Sequence, residues 1–231
     1  MKVSQHFTKD SEIPYILVDN VLEENFLPLL WDELNFLSRD LETLEGADGA
    51  SGSASRIDEN GKKILLKNNK CLFVDSFYTD HKKSSVLKVG HNAIFNEEFL
   101  THVVPFHPWF RYLFQSCAFS TLLSYYDNGT YYEPHQDTSV FSALIWFYKE
   151  PKKFRNGEFI IEGTETIECV NNRMVLIPGT AVHEVKTVEL DEEDRDCRLG
   201  RYTITLFISP SASREEPQEN NASKSEKQPS R

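Results

Sequence analysis

The chain has 231 residues, 39% of them hydrophobic, and a formal net charge of −11 from 25 basic and 36 acidic residues. That length supports one domain of roughly 200 residues with a full core and a tail, and the acidic balance opposes the electrostatics on which nucleic-acid binding relies. No apolar run approaches the ~20 residues of a membrane span, and the polar start MKVSQHFTKDSE is unlike a secretion signal, so a cytoplasmic protein with no nucleic-acid or membrane partner is expected.

Residues 13–21, IPYILVDNV, read as a strand, and Phe26, Leu30, Leu34 and Leu37 recur at helical spacing behind Glu23 and Glu24. Residues 46–63, GADGASGSASRIDENGKK, are small and polar without periodicity, which predicts a long flexible loop, either a lid or simply unstructured. A strand at 70–77 and helical segments near 96–104 and 108–115 follow. From Thr121 onward short β-rich runs at 122–126, 140–148, 158–162, 166–170, 173–177, 183–188 and 201–209 are punctuated by Gly, Asn, Asp and Pro. The fold class is therefore mainly β with α: an antiparallel sandwich with the N-terminal helices packed on one sheet. A single domain over 1–209 is expected, with 210–231 a disordered polar tail.

The acidic stretch 189–196, ELDEEDRD, reads as a solvated hairpin tip; the functional alternative is a site-mouth loop that attracts a cationic substrate. Cys71, Cys117, Cys169 and Cys197 are scattered, with no CxxC pair and no dense framework, so neither a zinc ribbon nor a disulfide scaffold is indicated. The sequons at Asn128 and Asn221 would matter only in a secreted protein.

The chemistry gathers in YYDNGTYYEPHQDTSVFSALIWFY, Tyr125 to Tyr148. On a strand His135 and Asp137 would project from one face, because side chains two apart share a face. The next histidine, His183, lies in RMVLIPGTAVHEV, itself strand, turn, strand. In a sandwich it can reach the same site across the core, giving two histidines and one carboxylate on one face of a metal. That set suits iron(II), which keeps three positions open; zinc is the competing assignment. In GRYTITLFIS, Arg201 and Thr203 share one face of a strand whose other face carries Tyr202, Ile204 and Leu206. A core-side arginine needs a carboxylate for its fork, and that strand has none, so a ligand carboxylate is the expected partner.

The run Tyr132-Glu133-Pro134-His135-Gln136-Asp137, then Asn156-Gly157-Glu158-Phe159, then Pro178 and His183, then Arg201-Tyr202-Thr203, resembles the iron(II)- and 2-oxoglutarate-dependent dioxygenases, most closely their prolyl hydroxylase-like branch. The opening IPYILVDNVLEENF resembles the start of such proteins too. The resemblance implies a double-stranded β-helix, or jelly roll, supported by N-terminal helices. It implies that His135, Asp137 and His183 bind iron, that Arg201 pairs with the distal carboxylate of 2-oxoglutarate with Thr203 beside it, and that Tyr132 and Tyr125 contact the cosubstrate. Oxygen would be the second cosubstrate and ascorbate an accessory reductant. The implied reaction is hydroxylation of an unactivated C–H bond, with succinate and carbon dioxide as co-products. Asp137 favours hydroxylation over halogenation, since related halogenases lack that carboxylate. The first choice of substrate is a proline-containing protein or peptide; a free amino acid or other small molecule is the alternative. Two other classes stay open: a non-catalytic carboxylate-binding jelly roll, and a zinc hydrolase with Glu133 or Glu184 as base.

Overall fold

The computed structural model describes residues 1–44 and 54–210. The chain opens with β1 (Lys2–Phe7), β2 (Pro14–Asp19), α1 (Leu27–Leu37) and β3 (Glu42–Thr43). A hairpin of β4 (Ser55–Ile57) and β5 (Lys63–Leu65) follows, then β6 (Lys70–Phe73), α2 (Ser85–Ile94), α3 (Glu97–Val103) and a 3-10 segment at Pro108–Gln115. The remainder is β7 (Ser116–Tyr126), β8 (Tyr132–His135), β9 (Phe141–Phe147), β10 (Phe154–Asn156), β11 (Phe159–Ile161) and β12 (Glu165–Ile167). It closes with β13 (Arg173–Pro178), β14 (His183–Val185), β15 (Val188–Leu190) and β16 (Arg201–Pro210). Among the described residues no helix is long and apolar enough to cross a membrane.

Eight strands form one sheet in the order β1-β2-β13-β9-β16-β7-β6-β3, and a second sheet runs β12-β11-β14-β8, with β10-β15 and β4-β5 as separate pairs. All the pairings are antiparallel. This is the double-stranded β-helix with helices on one sheet that the sequence led us to expect. The helices cover the outer face of the large sheet: Leu30, Leu34 and Leu37 of α1, Val86 and Ile94 of α2, and Phe99 and Val103 of α3 pack with Tyr202, Ile204, Leu206 and Ile208. A separate core fills the space between the sheets, built on Trp146, Phe159, Ile161, Val175, Ile177 and Val185. Strand β9 is buried along its whole length because it is covered on both sides, which explains a run that is apolar except for Ser142.

Three local expectations change. Residues 55–57 and 63–65, within or beside the stretch read as a flexible loop, pair as a hairpin. Its turn is tied by Asp58, whose carboxylate accepts from the amides of Asn60 and Lys62 at 2.9 and 2.8 Å, an Asx-type turn hidden in a polar, Gly-containing run. Residues 46–53 of that stretch, and the tail from 211 onward, lie outside the described residues. The 70–77 strand stops at Phe73 and continues as a short 3-10 turn, Val74–Ser76. The single strand read at 183–188 is two: β14 joins the small sheet, while β15 pairs with β10.

Helix α2 is absent from the sequence reading. Ser84 caps it through Leu87 N, and Glu33 of α1 accepts from Ser84 Oγ, Ser85 N and Val86 N. Both ends of that cap are needed, and one belongs to another helix, so local spacing alone understates it.

Candidate active site

His135 ends β8 and His183 begins β14, and the two are direct partners in the small sheet. They therefore meet as cross-strand neighbours rather than across the sandwich. Their ring centroids are 4.2 Å apart. His135 Nδ1 lies 2.8 Å from Glu133 O and His183 Nδ1 lies 2.9 Å from Ala181 O. A carbonyl only accepts, so each Nδ1 carries the proton, and both Nε2 atoms face Asp137 at 3.8 and 3.4 Å.

Asp137 lies just beyond the end of β8, so strand alternation is not what aligns it with His135. The turn does this instead: Asp137 N donates to Gly179 O at 2.8 Å, and Gly179 N donates to Val140 O at 2.9 Å. A side chain at 179 would collide with the carbonyl of Ser139, so only glycine permits this approach. Ser142, the one fully buried hydroxyl in β9, donates to Asp137 Oδ2 at 2.5 Å.

The three side chains each offer a ligand atom within 4.8 Å of the others. Two imidazole nitrogens and a carboxylate oxygen are a sound donor set for a divalent transition metal with open positions. Burial, followed by the charge on His183, lowers the His135 pKa to about 3, so its ring is neutral and available as a ligand. Burial alone would raise the Asp137 pKa, but the adjacent His183 imidazole and the Ser142 hydroxyl outweigh it and bring the carboxyl down to about 2.

A cavity of about 310 Å³ opens onto the triad, and Tyr126, Tyr132, Lys67, Phe159 and Thr203 also line it. Tyr132 stacks on His135 with centroids 3.6 Å apart and planes 10° from parallel. A larger groove of about 440 Å³ beside α1 and α2 contains no cluster of metal-ligating groups among the described residues.

Arg201 is fully buried on the same face of β16 as Thr203, with its guanidinium carbon 5.2 Å from the Tyr126 ring and 5.1 Å from the Trp146 ring. Its Nη1 donates to Gly157 O at 2.5 Å; Gly157 has φ +72, a conformation glycine adopts without strain. Arg201 Nε and Nη2 and the Thr203 hydroxyl have no hydrogen-bond partner among the described residues. A buried guanidinium with half its fork unmatched is the cradle that a ligand carboxylate would fill.

Tyr125 is not brought to the site. It lies on the opposite face of β7, its ring 4.7 Å from that of Tyr202 and its hydroxyl accepting from Gly200 N at 3.1 Å. Its neighbour Tyr126 faces the cavity instead. A one-residue shift in parity exchanges the two, and the only clue in the sequence was that Tyr126 shares its face with Ser124. Lys67 was also missed. It is 6% exposed, with Nζ 3.5 Å from Cys71 Sγ and 5.3 Å from the Tyr132 ring centroid; the signal was a lysine amid the apolar residues of ILLKNNKCLF.

The proposed hydrolytic bases are both engaged elsewhere. Glu133 lies 3.6 Å from Arg56 and Glu184 2.9 Å from Lys186, and neither lines the cavity. The acidic stretch 189–196 also stays clear of the cavity. It is tied down by Arg155–Asp191 at 3.0 Å and Lys153–Asp194 at 3.6 Å.

No family model matches the chain. A curated relative, a PKHD-type hydroxylase from Parvibaculum lavamentivorans, is 40% identical over 58 residues, which is 24% of this chain and 25% of that protein. The match thus spans about a quarter of the relative's length. A solved prolyl-4-hydroxylase from Pseudomonas putida superposes with TM-score 0.54 at 13% identity, covering 86% of this chain and 93% of the other. A prolyl hydroxylase from Trichoplax adhaerens, solved with a peptide fragment of the hypoxia inducible factor oxygen degradation domain, gives TM-score 0.55 at 12% identity over 85% and 83% of the two chains. The viral collagen prolyl hydroxylase of Paramecium bursaria Chlorella virus-1, in complex with 2OG, gives 0.50 at 11% identity over 84% and 94%.

The chain therefore shares the fold of these three prolyl hydroxylase structures, and the His135–Asp137–His183 cluster stands in it, in agreement with the resemblance drawn from the sequence.

Proposed function

We propose that this protein is an iron(II)- and 2-oxoglutarate-dependent dioxygenase that hydroxylates a prolyl residue in a protein or peptide. The observation that carries the reading is a three-ligand metal cluster on a cavity that Thr203 also lines, together with the unmatched guanidinium donors of Arg201 buried on the same strand face as Thr203. His135 Nε2, His183 Nε2 and one Asp137 oxygen would hold iron(II). Arg201 Nε and Nη2 would pair with the distal carboxylate of 2-oxoglutarate, and Thr203 would donate to the same group. Iron(II) with 2-oxoglutarate and oxygen supplies the power to replace an unactivated C–H bond by C–OH, with succinate and carbon dioxide as co-products. Ser142 fixes which Asp137 oxygen remains for the metal, because it occupies the other. Leu144, Phe159 and Val185 line the cavity and keep it poor in water, which strengthens every charge interaction inside.

A peptide substrate is supported by the peptide held by the Trichoplax neighbour. A cytoplasmic setting is supported by four unpaired cysteines, and ascorbate would serve as accessory reductant. A second reading, a free amino acid or another small acid, is favoured by Lys67, a nearly buried cation on the cavity wall that would suit a substrate carboxylate.

Anaerobic titration with iron(II) and then 2-oxoglutarate tests the cofactor reading. A visible metal-to-ligand charge-transfer band is expected in the wild type, lost in Asp137→Ala and needing far more cosubstrate in Arg201→Ala. Folded wild-type protein without a band would refute it. Incubation with proline peptides under oxygen, read by mass spectrometry for one added oxygen, tests the substrate. Succinate formation stimulated by free amino acids but by no peptide would move the assignment to the second reading.

A further inference from the structure

Asn69 is 1% exposed, and both its Nδ2 and its Oδ1 lack a hydrogen-bond partner among the described residues. Its neighbour Asn68 shows what a satisfied amide in this segment does: Oδ1 accepts from Tyr131 N at 2.8 Å and Nδ2 donates to Gly129 O at 3.2 Å. Burying an amide with neither end paired is destabilising, and Asn has no apolar body whose burial would offset it. Such a residue needs a partner from outside the chain.

Its position indicates which partner. Cys71 and Phe73 of β6 line the cavity, and Asn69, immediately ahead of that strand, has their parity. Lys70 is opposite Tyr125 and Arg201 is opposite Tyr126, so continuing the register places Asn69, Tyr126 and Arg201 in one row across β6, β7 and β16. The unpartnered Arg201 Nε and Nη2 and Thr203 Oγ1 lie on that same face. A carboxylate offers about four lone-pair positions. Arg201 supplies two donors and Thr203 one, leaving one position open.

We propose that Asn69 Nδ2 fills that position, making Asn69 a binding residue for the distal carboxylate of the dicarboxylate cosubstrate. The inference rests on the cosubstrate reading above. It adds a selectivity element on a strand different from the one that carries the arginine.

The test is anaerobic calorimetric titration of the iron(II)-loaded full chain with 2-oxoglutarate and with 2-oxobutanoate, which keeps the chelating α-keto acid but has no distal carboxylate. Wild type, Asn69→Ala and Asn69→Asp are compared, with melting curves for each. Asn69→Ala is expected to weaken 2-oxoglutarate roughly 10- to 100-fold, the worth of a hydrogen bond to a charged group, while 2-oxobutanoate binding is unchanged. Asn69→Asp, isosteric but anionic, is expected to be weaker still towards 2-oxoglutarate alone. Unchanged 2-oxoglutarate affinity in Asn69→Ala overturns the inference, as does an equal loss for both ligands, which would mark a structural role. Wild type that takes up neither acid overturns the cosubstrate reading and this inference together, a result distinct from either of those.

Discussion

The two faces of β16 differ in kind. Outward, Tyr202, Ile204, Leu206 and Ile208 are buried against the helices, and their burial stabilises the domain by roughly 25 cal/mol per Å² of apolar area. Inward, Arg201 and Thr203 carry polar atoms with no partner among the described residues, an arrangement that costs stability and that a ligand carboxylate would offset. On the proposed reading, one strand serves as foundation on one side and as binding surface on the other, and alternation keeps the two roles apart.

That contrast sets the expected results. Ile204→Ala should lower unfolding free energy by about 2–5 kcal/mol in a urea titration while leaving metal and 2-oxoglutarate affinities near wild type. Arg201→Met should do the reverse. Cosubstrate affinity should fall by at least about 100-fold, since two charge-assisted hydrogen bonds are lost, yet the ligand-free protein should be as stable as wild type or more so, because an incompletely paired buried cation is gone. If Arg201→Met unfolds the ligand-free protein, the inner face is structural and the contrast fails.

A smaller effect is expected at Ser142→Ala. Metal affinity measured by competition with a chelator should drop roughly 10–100-fold, the usual cost of losing a group that orients a ligand, with little change in urea midpoint.

A further effect is that of pH on the metal-free protein. His135 binds its proton at about 3 when folded against 6.5 as the reference value. Between those values the unfolded chain takes up a proton that the folded chain refuses, so stability should fall as pH drops from 6.5 towards 3. Asp137, with about 2 against 3.8, contributes stability that is full above 3.8 and is lost as pH falls towards 2. A His135→Asn variant should show a flatter dependence of urea midpoint between pH 6.5 and 4; equal slopes would discount His135 as the cause.

Much of this was legible in the sequence where a period could be read. The alternation of Arg201, Thr203 and Thr205 against Tyr202, Ile204 and Leu206 is the strand's own signature, and the run Phe141–Phe147, apolar except for Ser142, announces a strand covered on both faces. What escaped depended on contacts between distant segments. Helix α2 is capped in part by Glu33 from another helix. The direct pairing of His135 with His183 follows from the register of two short strands, which no local pattern records. The choice between Tyr125 and Tyr126 turned on one residue of parity in a run where both are aromatic. Asn69 carried no signal at all, since a buried asparagine is recognised only once its surroundings are known.

The three side chains that could hold a metal are also mounted differently. His135 and His183 sit on paired strands, whereas Asp137 is carried by a turn whose anchor is the amide hydrogen bond to Gly179. Ladder residues open only with their sheet, while a turn can open by itself. The amide of Asp137 should therefore exchange with solvent deuterium sooner than that of His135 in metal-free protein, and slow markedly when metal pins the carboxylate. That one proton would serve as a clock for occupancy of the site, readable with no substrate in hand.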